Sequence, residues 1–222
     1  AAGEMRERAL ALLGNAPRRG PEIGTFHAIC AKILRRFGSE LGLGPRFSIY
    51  DESDQTAMLQ RCSAELLMPA DLRSARRAAQ IINQYKDQNL GPAEAMHLAR
   101  RALQEHMAEL YARYRERMLQ ANAVDFGDLI LLVNELLEKP DSLTRASLQL
   151  QWTHVLVDEF QDTNHAQYRL LRSLCGPRTQ LTVVGDDDQS IYAWRGAEVR
   201  NVLRFADDFA NASVVKLEQN YR

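Results

Sequence analysis

The sequence predicts an α/β fold in which a parallel sheet is interrupted by a large helical insertion. After Pro140, apolar β-branched runs alternate with helical periodicity, a pattern typical of a parallel sheet with crossover helices. Two of these runs, VLVDEFQD at 155–162 and LTVVGDDD at 181–188, end in carboxylates. Ligands of open parallel sheets bind beyond the carboxyl ends of the strands, so these acids are placed for chemistry. Between about 51 and 139 the chain is almost wholly helical.

The chain is long enough for two such parts. It has 222 residues, of which 45% are hydrophobic, and this suffices for one large domain or two small ones. We predict a parallel-sheet domain formed by residues 1–24 and 141–222, and an all-helical inserted subdomain formed by residues 25–140. Charged residues make up 26% and the formal net charge is -1, which argues against disorder and leaves a nucleic-acid partner open.

Cysteine usage and hydropathy bear on the compartment. The three cysteines, Cys30, Cys62 and Cys175, lie far apart without a CxxC pair and are typical of reduced thiols in an intracellular protein. No apolar stretch reaches the roughly 18 residues of a membrane span, and the amino terminus is a charged helix rather than a secretory signal. We therefore expect a soluble, cytoplasmic protein.

Helix signals dominate the first 140 residues. A first helix ends near Leu13, a short strand is predicted at 22–24, and Thr25 is suited to cap the helix that follows. Four further helices are predicted: at 51–67, at 72–85, one long helix that starts near Pro92 and carries an apolar stripe including Met96, Leu103, Met107 and Met118, and at 124–139.

Beyond Pro140, strand and helix signals alternate. In order they predict a helix to about Gln151, a strand at 153–157, a helix capped by Asp162 or Thr163 and closing at Gly176, a strand at 181–185, a helical stretch, and a strand at 214–217.

Arginines cluster in the helical region. The clusters are Arg73, Arg76 and Arg77, then Arg100 and Arg101, then Arg113, Arg115 and Arg117. Two interpretations remain open, a solvated helix face with interleaved glutamates and a stripe that contacts phosphates.

The first acidic strand ends in Asp158 and Glu159. Adjacent side chains at a strand end point in different directions, so we expect different roles for them. One can hold Mg²⁺, usually through water, while the other orients and deprotonates an attacking water. Capping of the next helix would explain one carboxylate but hardly the whole run DEFQD.

The segment GDDDQSIYAWRGA follows the second acidic strand. Gln189 can sense a terminal phosphate by hydrogen bonding, and Tyr192, Trp194 and Arg195 suit base stacking beside a backbone phosphate. In the closing EQNYR, Tyr221 could stack on a nucleobase and Arg222 could neutralise a transferring phosphoryl group.

Five segments together resemble the motifs of superfamily-one DNA helicases of the UvrD/Rep/PcrA type. In chain order they are GTFHAICAKILRRFG, VDFGDLI, VLVDEFQDTN, VVGDDDQSIYAWRGA and LEQNYR, and the resemblance extends over essentially the whole chain. It implies two RecA-like domains that bind ATP between them, with helical subdomains inserted in each. It also implies ATP-driven 3′ to 5′ translocation on single-stranded DNA, with unwinding of duplex in repair or replication.

The resemblance also implies roles for single residues. Asp158 would coordinate the Mg²⁺ of ATP and Glu159 would activate water. Gln189 and Arg222 would contact the γ-phosphate region, and Tyr221 would stack on adenine. Two groups would meet single-stranded DNA: Thr25, Phe26 and His27 near the backbone, and Tyr192, Trp194 and Arg195 along the strand path. The helical insertion would face junction DNA.

One motif of that family, the P-loop Gly-x-x-x-x-Gly-Lys-Ser/Thr, is missing from these residues. The lysines are Lys32, Lys86, Lys139 and Lys216, and none of them follows a glycine. Without the loop no backbone cradle holds the phosphates. We therefore expect a piece of the first motor domain that lacks the P-loop strand and the second RecA-like domain, is inactive alone, and tends to self-associate through exposed sheet edges.

Two alternatives differ in activity. The chain could belong to the motor of a helicase–nuclease repair complex, or it could be a non-catalytic module that grips DNA. Glu159, Gln189 and Arg222 count against the second alternative, because a pure binder needs none of them.

Overall fold

The computed structural model describes residues 2–13, 21–186, 205, 208–209 and 212–216. Over this part of the chain the fold is mixed α/β and mostly helical. The helices are α1 (Ala2–Leu13), α2 (Phe26–Phe37), α3 (Glu52–Glu65), α4 (Leu72–Asp87), α5 (Pro92–Leu98), α6 (Ala102–Gln120), α7 (Phe126–Glu138), α8 (Leu143–Gln151) and α9 (His165–Leu174). The strands are β1 (Ser48–Tyr50), β2 (Ala123–Asp125), β3 (His154–Val157) and β4 (Gln180–Val183).

Both sheets that the structure describes are two-stranded and parallel. Strand β3 pairs with β4, with His154 opposite Gln180 and Val157 opposite Val183. A 3₁₀ turn (Phe160–Asp162) and α9 connect the two strands, which makes a βαβ unit. The parallel pairing of the two acidic strands is therefore confirmed.

The expectation that residues 25–140 are all-helical is wrong. Strands β1 and β2 lie within this range and pair in parallel, with Ile49 opposite Val124. Each has only three residues, too few for a periodic signal, and β2 is buried on both faces. The division into two domains at residue 140 stays a prediction. In the structure, helices on both sides of this boundary contribute to one hydrophobic core.

Two other expectations for the first half of the chain are wrong. The residues 21–25 lie in neither strand nor helix. The long helix from Pro92 is two helices, because Ala99 and Arg101 adopt extended backbone conformations between α5 and α6. Met96 and Leu103 are 43% and 69% exposed, so the apolar stripe is not continuous through this break.

The cap of α9 also differs from expectation. The side chain of Asn164, not of Asp162 or Thr163, accepts a hydrogen bond from the backbone N–H of Gln167. The hydroxyl of Thr163 instead donates to the carbonyl of Phe160 within the 3₁₀ turn. The 3₁₀ turn includes Asp162, so the helix begins later than expected. Farther along, 212–216 form no strand, and the helical stretch expected after β4 lies largely outside the described residues.

Helix α7 is the centre of the packing. Leu129, Val133 and Leu136 lie in a core shared with α2, α8 and α9, while Leu131 packs into a second core formed mainly by α3, α4 and α6. An apolar helix of this kind is buried nearly all round. It fixes the helical region against the segment that carries the acidic strand end.

Candidate functional site

The acid pair lies at the carboxyl end of β3, and both side chains are exposed. The carboxylate of Asp158 accepts a hydrogen bond from the backbone N–H of Glu159 at 3.0 Å. Glu159 has φ 52 and ψ 43, a left-handed conformation that a residue with a Cβ adopts at a cost of roughly 1–2 kcal/mol. Strain of this kind concentrates at functional sites, where neighbouring contacts hold it in place.

The side chain of Gln161 supplies such contacts. It is buried, and its amide nitrogen donates to a carboxylate oxygen of Glu159 at 2.7 Å. Its amide oxygen accepts from the backbone N–H of Asp186 at 3.0 Å. A Cβ on Gly185 would lie 2.7 Å from that oxygen, so a larger residue at this position would displace the Gln161 amide. Gln161 therefore joins the two acidic strand ends.

The acid site fits a hydrated divalent cation held beside phosphates. Neither Asp158 nor Glu159 forms an ion pair with a described residue. Among the described residues no three His, Cys, Asp or Glu side chains cluster as a metal cage. Mg²⁺ commonly keeps several waters and binds one or two carboxylates plus substrate phosphates, so exposed acids at a strand end suit it.

A second candidate site is an open cleft of about 320 Å³ in the helical region. It lies at the amino ends of α2, α3 and α7, and α4 contributes Asn83 and Asp87. The side chain of Thr25 caps α2, as expected, by accepting from the N–H of Ala28 at 3.2 Å. His27 lines the cleft, and its burial lowers the pKa of its imidazole, so the ring is neutral at pH 7.

Phe126 lies beside His27 in this cleft and is a residue that the sequence reasoning missed. Its ring meets that of His27 edge-on, with 5.9 Å between centroids, and its side chain is 56% exposed. Its position in the cleft beside His27, rather than its exposure alone, makes it a candidate for contact with a ligand. The segment VDFGDLI contained the signal, because Phe126 immediately follows the capping Asp125.

A buried ionic network lies below the cleft. The Lys86 amine is 2.6 Å from Asp125 Oδ2 and 2.7 Å from Asp128 Oδ1, and its side chain has no exposed surface. Tyr114 and Gln55 also donate to Asp125 Oδ2, at 2.8 and 2.9 Å. Burial by itself lowers the pKa of Lys86, but the two carboxylates outweigh it and raise that pKa, so the amine stays charged.

The two acids of this network titrate differently. Burial raises the pKa of Asp125, yet the Lys86 charge and several hydrogen bonds outweigh burial and hold that pKa below its usual range. Burial and the Asp125 charge raise the pKa of Asp128. Asp125 is thus the ionised partner of Lys86, and it also caps α7 by accepting from the N–H of Asp128. The network fixes the helix that presents Phe126.

The arginine clusters divide into two kinds. Arg113 and Arg117 pair with Glu65, and Arg115 pairs with Glu135, which favours the interpretation of an ion-paired helix face for this cluster. The cluster on α4 is different, because its three guanidinium groups are exposed and form no ion pair with any described residue: Arg73, Arg76 and Arg77.

Six of the expected site residues lie outside the described residues. They are Gln189, Tyr192, Trp194, Arg195, Tyr221 and Arg222. The expected residues that the structure does describe fall into two groups, with Thr25, Phe26 and His27 at the start of α2 and with Asp158 and Glu159 after β3.

The fold and the acid site together define an α/β protein that carries acids at the ends of parallel strands. Comparison with known proteins gives a family. Residues 1–210 match the family model of the UvrD/REP helicase N-terminal domain. The chain belongs to this family.

Several curated relatives align with the whole chain. It is 42% identical over 223 residues to ATP-dependent DNA helicase PcrA of Leuconostoc citreum, covering 30% of that protein. It is 40% identical over 222 residues to ATP-dependent DNA helicase Rep of Escherichia coli, covering 33%, and 39% identical over 223 residues to DNA helicase II of the same organism, covering 30%. The chain thus spans about a third of the length of these relatives. In the part that the structure describes, no helix combines the length and apolar character needed to cross a membrane.

Proposed function

We propose that this chain is part of the first motor domain of an ATP-dependent DNA helicase that acts in repair or replication. The observation that carries the proposal is the parallel β3–β4 pair, which brings the exposed acids Asp158 and Glu159 next to the second acidic strand end. The names of the curated relatives support it, since each is a DNA helicase. A RecA-like sheet completed by strands beyond β3 and β4 is part of the same proposal.

In this proposal the acids divide the work of ATP hydrolysis. Asp158 would hold Mg²⁺, usually through water, and the bound ion would supply charge that screens the phosphates. Glu159 accepts a proton from the attacking water, and Gln161 holds its carboxylate at a fixed position. ATP supplies the phosphoryl group when bound. By family resemblance Gln189 and Arg222 act on the γ-phosphate and Tyr221 stacks on adenine.

The DNA side of the proposal rests on the cleft and on α4. A neutral His27 and an exposed Phe126 suit stacking with a base better than ion pairing with a phosphate. Thr25 and Phe26 lie at the same helix start, and by resemblance Tyr192, Trp194 and Arg195 continue the single-strand path. The unpaired arginines of α4 suit the backbone of junction DNA.

Replacement of Glu159 by Gln in the full-length protein tests the proposal. Loss of the base should lower DNA-stimulated ATP turnover by at least about 100-fold while leaving ATP binding within a few-fold. The matched control is Glu138→Gln, an exposed residue of α7 paired with Arg169, which should leave turnover unchanged.

Two further outcomes separate the alternatives. A wild-type protein that binds single-stranded DNA without hydrolysing ATP would favour the binding module instead. DNA degradation by the full-length protein would favour the motor of a helicase–nuclease complex.

The isolated 222-residue chain should turn over no ATP, because it contains no phosphate-binding loop.

A further inference from the structure

A partly buried hydrogen bond joins the cleft to the segment that carries the acid pair. Asp87 is the last residue of α4 and lines the cleft. Its carboxylate accepts from the side-chain amide of Asn164 at 2.7 Å, across 77 residues of sequence. Asn164 is 8% exposed and caps α9, so both partners are fixed at helix ends.

Each partner of this hydrogen bond lies close in the chain to a residue that contacts one of the two candidate sites. On the cleft side, the residue before Asp87 is Lys86, whose amine binds the Asp125 carboxylate beside Phe126. On the acid side, Thr163 alone separates Asn164 from the 3₁₀ turn that contains Gln161, and the Gln161 amide donates to Glu159. Three side-chain contacts and the short backbone segments between them therefore connect the cleft to the acid pair.

A second contact near the same place restricts how the helix ends can move. The side-chain amide of Asn134 on α7 donates both to the side-chain oxygen of Asn89, just beyond α4, and to the carbonyl of Ala166 in α9. The end of α4 is therefore linked to the start of α9 both directly and through α7.

The Asp87 carboxylate is held at an energetic cost. Burial raises the pKa of Asp87 to about 6, although the Asn164 hydrogen bond opposes this change. A partly buried carboxylate whose hydrogen-bond partner among the described residues is one amide stabilises the fold poorly. A role in transmitting the effect of DNA binding would explain why Asp87 occupies this position.

We infer that the Asp87–Asn164 hydrogen bond couples occupation of the cleft by DNA to the placement of Glu159, with Asp87 as a positioning residue. The inference rests on the proposed function, since it assigns a coupling element to that motor. DNA bound at Phe126 and His27 favours one placement of the α4 end, and the bond passes this bias to the turn before α9.

Four variants of the full-length protein test the inference. Asp87→Ala removes the acceptor, and Asn164→Ser removes the amide donor but keeps a side chain suited to cap α9. The third variant combines both changes. Asp87→Asn keeps a carbonyl acceptor for Asn164 and serves as the matched control. For each variant the ratio of ATP turnover with saturating single-stranded DNA to turnover without DNA is measured, together with the DNA concentration for half-maximal stimulation.

Asp87→Ala and Asn164→Ser should each lower the stimulation ratio about tenfold, within the usual range for coupling between sites. In Asn164→Ser, whose altered residue does not line the cleft, the half-maximal DNA concentration should stay within twofold, which a general loss of structure would not give. The combined variant should show no further loss, and Asp87→Asn should retain the ratio.

Three results would overturn the inference. They are full stimulation in Asp87→Ala, losses that multiply in the combined variant, and a loss in Asp87→Asn equal to that in Asp87→Ala. If DNA does not change the ATP turnover of the wild-type protein, the proposed function is refuted. The inference, which depends on that function, is then refuted as well.

Discussion

Replacing Lys86 by Met should destabilise the fold severely. The Lys86 side chain is fully buried and contacts the Asp125 and Asp128 carboxylates at 2.6 and 2.7 Å. The Tyr111 and Tyr114 rings lie beside its amine, at 5.7 and 5.1 Å to their centroids. Methionine fills the volume but leaves the acids without their cation.

The size of the effect follows from this geometry. Breaking a buried ion pair by removing one partner costs about 3–5 kcal/mol, because the other charge stays buried without compensation. A domain of this size is stable by only about 5–15 kcal/mol, so the variant should lose a large part of its stability. Lowering the pH toward 4 should shrink the difference from wild type, because the unpaired carboxylates then take up protons.

Urea unfolding followed by far-ultraviolet circular dichroism measures the free energy of unfolding. Lys32→Met is the matched control, because Lys32 forms an exposed pair with Glu22 and its loss should change stability by less than about 1 kcal/mol. A loss below about 1 kcal/mol in Lys86→Met, equal to that of the control, would refute the reasoning that this network holds the cleft together.

Two more predictions concern charge. Asp87→Asn should change the pH dependence of stability: the raised pKa of Asp87 favours the folded state below pH 4, and this contribution is lost as pH rises through about 6. Above pH 6 the variant should therefore gain about 1 kcal/mol on wild type after solvent screening, and parallel stability curves from pH 4 to 7 would contradict this. The second prediction concerns the affinity for single-stranded and junction DNA as a function of salt concentration. Replacing the α4 arginines by Ala should reduce the slope of log K against log salt concentration by the equivalent of up to about 3 phosphate contacts. The paired Arg113 and Arg117 form the control, and an equal change of slope when they are replaced would mean that ion pairing does not distinguish the clusters.

Local signals in the sequence identified many of the elements. The cap at Thr25 begins α2 as its residue type indicates. The β-branched runs before the acids became the parallel strands β3 and β4. Errors arose where an element was too short to have a period, as in β1 and β2, or where no breaker residue marked a break, as between α5 and α6.

Contacts between distant segments were beyond the reach of these signals. Nothing in the sequence pairs Asp87 with Asn164, or Lys86 with Asp125, because each pair meets only when separate helices pack. The ion pairs of Arg113 and Arg117 with Glu65 likewise depend on α3 lying beside α6. For this arginine cluster, the spatial neighbours favour the interpretation of an ion-paired helix face.

The sequence by itself determined the acidic strand ends and the family motifs, because strand patterning and strand-end chemistry are encoded within a few consecutive residues. Only the tertiary structure decided that Gln161 donates to Glu159, that Phe126 is exposed beside His27, and which arginines form ion pairs with other described residues. The physical reason is that hydrogen bonding, burial and charge pairing depend on distance in space, which the order of residues does not specify.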